Sequence, residues 1–404
     1  MRNKPELLAT ASSLEEMKVL LAAGADAFAI GESRYGLRLP GEFGLPAMAE
    51  AVRLAHAHGA KIYAVVNNIM DNHRAEELPA YIRGVAETGA DAVVFGDPAV
   101  LMAVRSEAPH LKLHWNAEMT STNYASANYW GRFGATRVVL ARELNLEQVK
   151  ELKARTSLEV QVQVHGMTNI YHSRRELVGS YLDHRGAHRA VPVSADAGLY
   201  LTEEERAGEM YPIYEDANGT HMMSADDICM IEDLHELLAA GIDSLRIEGL
   251  MKSVAYNETV VRSYRAAIDA YAANPDEYVF REEWLDAIRA VQPPGRELSF
   301  GFFTRNKCIE ASERKCLTSD NDDEAAAEGQ AASARQTRTA RTRGQSGETE
   351  VCCPLRRGRR LYRRAKIRLA FQCRQLQPRG DEGGRRICPP LRRKIVRGYQ
   401  YLCA

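Results

Sequence analysis

The chain has 404 residues, of which 45% are hydrophobic and 26% charged, and its formal net charge is -1. No uninterrupted apolar stretch of about 18 residues occurs, which excludes a membrane-spanning helix, and Cys229 is the only cysteine before residue 304, which excludes a disulfide scaffold there. The near-neutral total is a cancellation between an acidic body and a basic tail, so it neither favours nor excludes contact with nucleic acid.

The first 303 residues repeat one unit: an amphipathic helix, a glycine, then a short apolar run. Gly24, Gly59, Gly89, Gly134 and Gly241 stand where each helix should stop, because glycine turns left-handed without a steric penalty. The apolar runs predict eight strands: Glu6–Ala9, Ala27–Ile30, Lys61–Val66, Asp91–Phe95, Lys112–Trp115, Arg137–Ala141, Glu159–Val164 and Ser244–Ile247. They are continuous rather than alternating, as parallel strands covered on both faces require. Helix starts are marked by Ser13 ahead of Glu16 and Asn145 ahead of Gln148, both in capping-box spacing. A further helix is predicted from Ser224 to Ala240, through Ile228, Ile231, Leu234 and Leu238.

Eight such units make either a closed barrel or a doubly wound sheet. No Gly-x-Gly-x-x-Gly turn follows the first strand, which disfavours the dinucleotide-binding sheet. The expectation is therefore an α/β fold of the (β/α)8 TIM type over residues 1–273, with a long insertion at 167–223 after strand seven. Residues 274–303 read as a C-terminal extension of the barrel. Residues 304–404 form a basic, cysteine-containing tail without apolar periodicity, including Arg356-Arg357-Gly358-Arg359-Arg360. That tail reads either as a shifted reading frame or as a basic arm suited to RNA phosphates. The N-terminus has no signal-peptide core, and the expected location is the cytoplasm.

Barrel enzymes carry their chemistry where strands end. Interior positions of the predicted strands read as apolar, whereas their ends are polar: Thr10, Glu32 and Arg34, Asn67 and Asn68, Asp97, Asn116 and Glu118, Arg142 and Glu143, His165, and Arg246 and Glu248. Arg34, Arg142 and Arg246 suit the carboxylates of an anionic ligand, or else ion pairs with Glu32, Glu143 and Glu248. Asn67, Asn116 and His165 suit neutral oxygens, with His165 the candidate proton donor and Glu143 and Glu248 the groups that orient the arginines. The spacing of His165, His172, His184 and His188 matches no metal pattern. No Gly-x-Ser-x-Gly, His-Glu-x-x-His or Walker loop occurs. Asn218-Gly219-Thr220 and Asn257-Glu258-Thr259 match a glycosylation acceptor that a cytoplasmic chain does not use.

Several of these segments resemble one known family. Val164-His165-Gly166-Met167 with Leu177-Val178-Gly179-Ser180-Tyr181-Leu182 is similar to the signature region of peptidase family U32. Gly24-Ala25-Asp26-Ala27, the run from Gly134 to Leu144, Arg246-Ile247-Glu248-Gly249 and Lys252 match as well, so the resemblance covers about residues 4–303. It implies a choice between a collagenase-like peptidase and a subunit that makes 5-hydroxyuridine at the tRNA wobble position, with prephenate as co-substrate. The family's cysteines hold an iron–sulfur cluster, which needs about four thiolates. Here the aligned positions are Asn169 and Glu176, and the stretch after Arg185-Gly186 reads Ala187-His188-Arg189-Ala190-Val191-Pro192. The resemblance thus implies a member without a cluster of its own, acting on tRNA with a cysteine-bearing paralogue or serving only as that paralogue's non-catalytic partner.

Overall fold

Runs of small and β-branched apolar residues build the inner ring of the molecule, and helices pack outside it. The computed structural model describes residues 4–116, 121–186, 192–203, 206, 208–304 and the backbone of 367–371. In chain order the elements are β1 (Glu6–Thr10), α1 (Leu14–Ala23), β2 (Ala27–Ile30), α2 (Leu45–Ala57), β3 (Lys61–Val66), α3 (Asn72–Thr88), β4 (Ala92–Phe95), α4 (Pro98–Glu107), β5 (Lys112–Trp115), α5 (Tyr124–Arg132), β6 (Ala135–Val139), α6 (Leu146–Arg155) and β7 (Glu159–Gly166). The insertion follows as β8 (Asn169–Ser173), α7 (Leu177–His184), β9 (Leu199–Glu203), β10 (Met210–Asp216) and β11 (Gly219–Met223). The chain then returns through β12 (Asp227–Cys229), α8 (Leu234–Ala239), β13 (Ser244–Ile247), α9 (Val254–Ala273), α10 (Glu282–Val291) and β14 (Leu298–Ser299).

Strands β1 to β7 pair in sequence order, all parallel, and β13 pairs with both β7 and β1. The sheet is therefore closed, a (β/α)8 barrel of the TIM type. The eight predicted strands are the eight barrel strands. One is displaced: β6 begins at Ala135, which pairs with Leu113 across a register irregularity, rather than at Arg137. Both predicted helix starts form. Asn145 and Gln148 make a reciprocal capping box, and Ser13 caps Glu16 while the Glu16 carboxylate accepts from the Ser12 amide at 2.7 Å.

The predicted helix from Ser224 to Ala240 is corrected. Only Leu234–Ala239 is helical, because Ile228 and Cys229 pair antiparallel with Gly166 and His165 as β12. Ser224 closes a turn, accepting from the Thr168 amide at 3.0 Å and donating to the Asp226 carbonyl at 2.7 Å. The insertion is a small antiparallel sheet in the order β9-β10-β11-β8 with α7 packed on one face, and Ile367–Phe371 of the tail, against the expectation of an unstructured tail, adds a fifth strand antiparallel to β9. The tail expectations fall on residues outside those described, apart from Thr304 and 367–371.

Alternation along each strand sorts side chains into two layers. Leu7, Phe28, Ile62, Val93, Leu113, Val160 and Leu245 face the helices, while Leu8, Ala27, Ala29, Val65, Ala92 and Val94 fill the barrel. The expectation of an apolar interior fails at the N-terminal end. There Arg137, 3% exposed, bonds Glu6 at 2.6 Å and Glu159 at 2.7 Å, and Tyr63 and Ser244 donate to Glu6 at 2.5 and 2.9 Å. This network plugs the bottom of the barrel with charges that satisfy one another.

A second buried network ties the extension after α9 to the barrel. The Asp227 carboxylate, fully buried, takes Lys252 at 2.5 Å, Arg296 at 2.7 Å and the Gln292 amide at 2.7 Å. Burial works to raise the Asp227 carboxyl, but the two cations outweigh it and hold it well below the usual carboxylate range. Removing the anion strands two buried cations. Asp227→Asn should therefore lower unfolding stability by about 3–5 kcal/mol, read from the midpoint of urea denaturation. A loss below about 1 kcal/mol would show that the cations find other partners.

Candidate functional site

The C-terminal ends of the strands converge on a narrow pocket. Thr10 of β1, Asn67 after β3, Arg142 after β6, Arg246 of β13 and Glu248 beyond it line the pocket together with Arg38. Glu248 is 5% exposed and holds the arrangement together. It accepts from Arg246 Nη2 at 2.6 Å, from the Thr10 hydroxyl at 3.2 Å and from the Leu250 amide at 3.3 Å, while Thr10 Oγ1 accepts from the Gly249 amide at 2.8 Å. Gly166 ends β7 against this segment. Its φ is 98°, and a Cβ there would lie 2.2 Å from the Glu248 carbonyl oxygen, so only glycine allows the approach.

The predicted residues separate into two groups. Asn67, Arg142, Arg246 and Glu248 meet in the pocket. Arg142 donates from Nε to Gln163 Oε1 at 3.1 Å, whereas Glu143 is exposed in the turn beyond it. Arg246 pairs with Glu248, and its buried Nε has no hydrogen-bond partner. Asn116 is buried at the end of β5, its amide bonded to the Phe95 carbonyl at 2.7 Å, outside the pocket lining. Arg34 is exposed and pairs with Glu77 of α3 rather than closing on Glu32. Partial burial and the neighbouring Glu42 raise the Glu32 carboxyl. Neither Arg34 nor Glu32 lines the pocket. Glu118 lies outside the described residues.

His165 sits on the far side of its strand. Arg246 pairs with Gln163 and the next residue, Ile247, pairs with His165, so β7 carries one extra residue, a bulge. The bulge reverses the alternation that directs Gln161 and Gln163 inward. His165 instead faces α9, fully buried, with Nε2 2.8 Å from the Tyr256 hydroxyl and its ring edge-on to Tyr264.

Arg38 is the residue that strand-end reasoning missed. It lies on the connection between β2 and α2, 7% exposed, with φ of 55°. Arg38 and Met251 are the two non-glycine residues with positive φ among those described; Arg38 lines the mouth, and Met251 packs against Met167, Tyr214, Met223 and Leu250. A left-handed backbone costs such a residue about 1–2 kcal/mol, so surrounding contacts must hold it. The length of the connection after β2 was the available signal, since long βα loops at this face tend to be functional. Three guanidinium groups and the Glu248 carboxylate line a space of about 10 Å³, room for about one water, so a guanidinium-bound ligand enters only as the lining opens.

A thiolate-held cluster does not fit the residues at its expected place. Asn169 opens β8 opposite Met223, and Glu176 precedes α7. Cys229, the one cysteine among the described residues, is buried beside the Tyr264 hydroxyl. No group of three or more His, Cys, Asp or Glu among the described residues could hold a metal ion. The second stretch expected to carry cysteines, 187–191, and with it His188, lies outside the described residues.

Burial drives the His165 imidazole down to about 3, against the pull of Asp227. The folded chain keeps it neutral where the unfolded chain, with an ordinary imidazole near 6.5, takes up a proton. Its contribution is fully present above about pH 6.5 and is lost as pH falls toward 3, by roughly 1 kcal/mol per pH unit. His165→Gln should flatten the loss of stability between pH 7 and pH 5 in urea melts. An unchanged slope would show that other groups set it.

Comparison with known proteins adds three relatives and a family. The model of peptidase family U32 matches residues 12–313. The tRNA hydroxylation protein P2 of Bacillus subtilis is 48% identical over 302 residues, 74% of this chain and 97% of its own length. The tRNA hydroxylation protein P1 of the same organism is 34% identical, covering 70% of this chain and 68% of itself. The tRNA hydroxylation protein P of Escherichia coli is 31% identical, covering 67% of this chain and 69% of itself.

Proposed function

The chain belongs to peptidase family U32, and from that premise we propose that it is a cytoplasmic subunit of a system that hydroxylates the wobble uridine of tRNA. The observation that carries this reading is the cationic mouth, where Arg38, Arg142 and Arg246 line one pocket with Asn67 and Glu248. In a TIM barrel that is where a small co-substrate binds. Prephenate, a dicarboxylate, has the chemistry such a pocket selects: two carboxylates for bidentate guanidinium contacts and a hydroxyl for an amide or carboxylate. Glu248 fixes the Arg246 fork, and Gln163 fixes that of Arg142, so both donors are oriented before a ligand arrives. No helix among the described residues is long and apolar enough to cross a membrane, in keeping with a substrate in solution.

A peptidase needs a nucleophile with a base in hydrogen-bond reach, or a metal. His165 is committed to Tyr256 behind the barrel wall. With Asn169 and Glu176 in place of thiolates, a cluster would come from a partner. A paralogue that carries the cysteines, as a heterodimer partner, is part of the proposed system. Bacillus subtilis contains two relatives of this chain, P1 and P2.

The test is nucleoside mass spectrometry of tRNA from a strain lacking this gene and its paralogues, complemented with the paralogue alone or with each variant. Arg142→Ala and Arg246→Ala should each lower 5-hydroxyuridine derivatives at least about tenfold, the loss of one charge-assisted bidentate contact. Full modification with both variants would overturn the mouth assignment. Full modification by the paralogue alone would remove this chain from the reaction.

A further inference from the structure

The mouth is completed by a residue that does not line it. Asn218 sits at the tip of the β10–β11 hairpin, in the insertion, and is 5% exposed. Its side chain reaches across to the connection between β2 and α2. Nδ2 donates to the Ser33 carbonyl at 2.9 Å, and Oδ1 accepts from Asn68 Nδ2 at 2.7 Å. Asn68, 2% exposed, also donates to the Arg34 carbonyl at 3.2 Å from Nδ2 and to the Tyr35 carbonyl at 2.9 Å from its backbone. Asn67 Oδ1 accepts from the Leu37 amide at 2.9 Å. These bonds clamp the loop from Ser33 to Leu37, immediately ahead of the left-handed Arg38.

The hairpin tip is itself rigidly held. The Asn218 amide donates to Asp216 Oδ1 at 2.7 Å, and its carbonyl accepts from His172 Nε2 at 3.0 Å. Gly219 follows with φ of 107°, where a Cβ would stand 2.0 Å from the Ser173 carbonyl oxygen, so the turn is pressed onto β8. The His172 and His221 rings stack 4.7 Å apart on the face toward the barrel. A buried amide pair of this kind tolerates no loose end, since an unpaired buried amide is costly. The insertion therefore dictates the path of the loop.

We infer that Asn218 is a positioning residue for the mouth, holding the loop so that Arg38 enters the pocket beside Arg142 and Arg246. The inference rests on the reading of the mouth as an anion site. Through Asn218 the insertion, which supplies none of the lining arginines, sets how tightly an anion of two carboxylates is held.

Isothermal titration calorimetry with prephenate, and with malonate as the minimal dicarboxylate, tests this. Arg38→Ala and Asn218→Ala should each weaken binding about tenfold, and the double variant should be no weaker than either single one, because both remove the same contact. Asn218→Asp, which keeps the size but loses the donor to Ser33, should match Asn218→Ala. It serves in that variant's place if alanine prevents folding, with thermal melting as the check. Losses that multiply to about a hundredfold, a silent Arg38→Ala or a silent Asn218 variant would overturn the positioning role while leaving the anion site standing. Absence of wild-type binding to either dicarboxylate would remove the anion reading itself, and this inference with it.

Discussion

Closing a parallel sheet on itself brings its last strand against its first, and here β13 bonds to β1 on one edge and to β7 on the other. The mismatch is absorbed by one extra residue at the end of β7. Much follows from it. The bulge turns His165 out toward α9 and leaves Gly166 against Glu248. Separately, β6 pairs with β7 only as far as Gln161, and beyond it β12 pairs with His165 and Gly166, which carries Asp227 into its buried contact with Lys252 and Arg296. Barrel closure and the shape of the mouth thus share one local irregularity.

The two ends of the barrel are electrically different, and this separates stability from binding. At the bottom, Arg137 is matched by Glu6 and Glu159, and the remaining acceptors of Glu6 are filled by Tyr63 and Ser244. Such a satisfied network gives a ligand nothing to bind. At the top, Glu248 serves Arg246, Arg142 Nε donates to the Gln163 amide oxygen, and Arg38 lines the same pocket. Guanidinium groups in a low-dielectric recess interact with an anion more strongly than they do in water.

Much of the fold was legible because its determinants are local. Helix stops at Gly24, Gly89 and Gly241, caps at Ser13 and Asn145, and continuous apolar strands all act within a few residues of themselves. The Ser224–Ala240 segment misled because Ile228, Ile231, Leu234 and Leu238 are all buried, as a helix face would be, while the first of them is buried by strand pairing. At the site, Arg142, Arg246, Asn67 and Glu248 were legible from strand ends. Arg34 was not, because a partner on α3 took it outward. Arg38 and Asn218 were hidden for a different reason: one lies in a loop and the other in an insertion 180 residues away, and only tertiary contact relates them. The sequence showed Asn218 only within an acceptor pattern set aside as unused, and the structure makes it a buried amide.

The cost of the Arg38 backbone shows how these parts depend on one another. A residue held left-handed relaxes unless its neighbours prevent it, and the neighbours here are hydrogen bonds from Asn67, Asn68 and Asn218. Asn67 and Asn68 follow a barrel strand whose preceding residues are buried, so they persist as long as the barrel does. Asn218 belongs to the small sheet, whose smaller cores make it the more easily opened unit. Opening that sheet withdraws one of the loop's anchors without unfolding the barrel. The affinity of the mouth is then coupled to the local stability of the insertion, and any partner that stabilises the insertion strengthens the pocket by the same linkage.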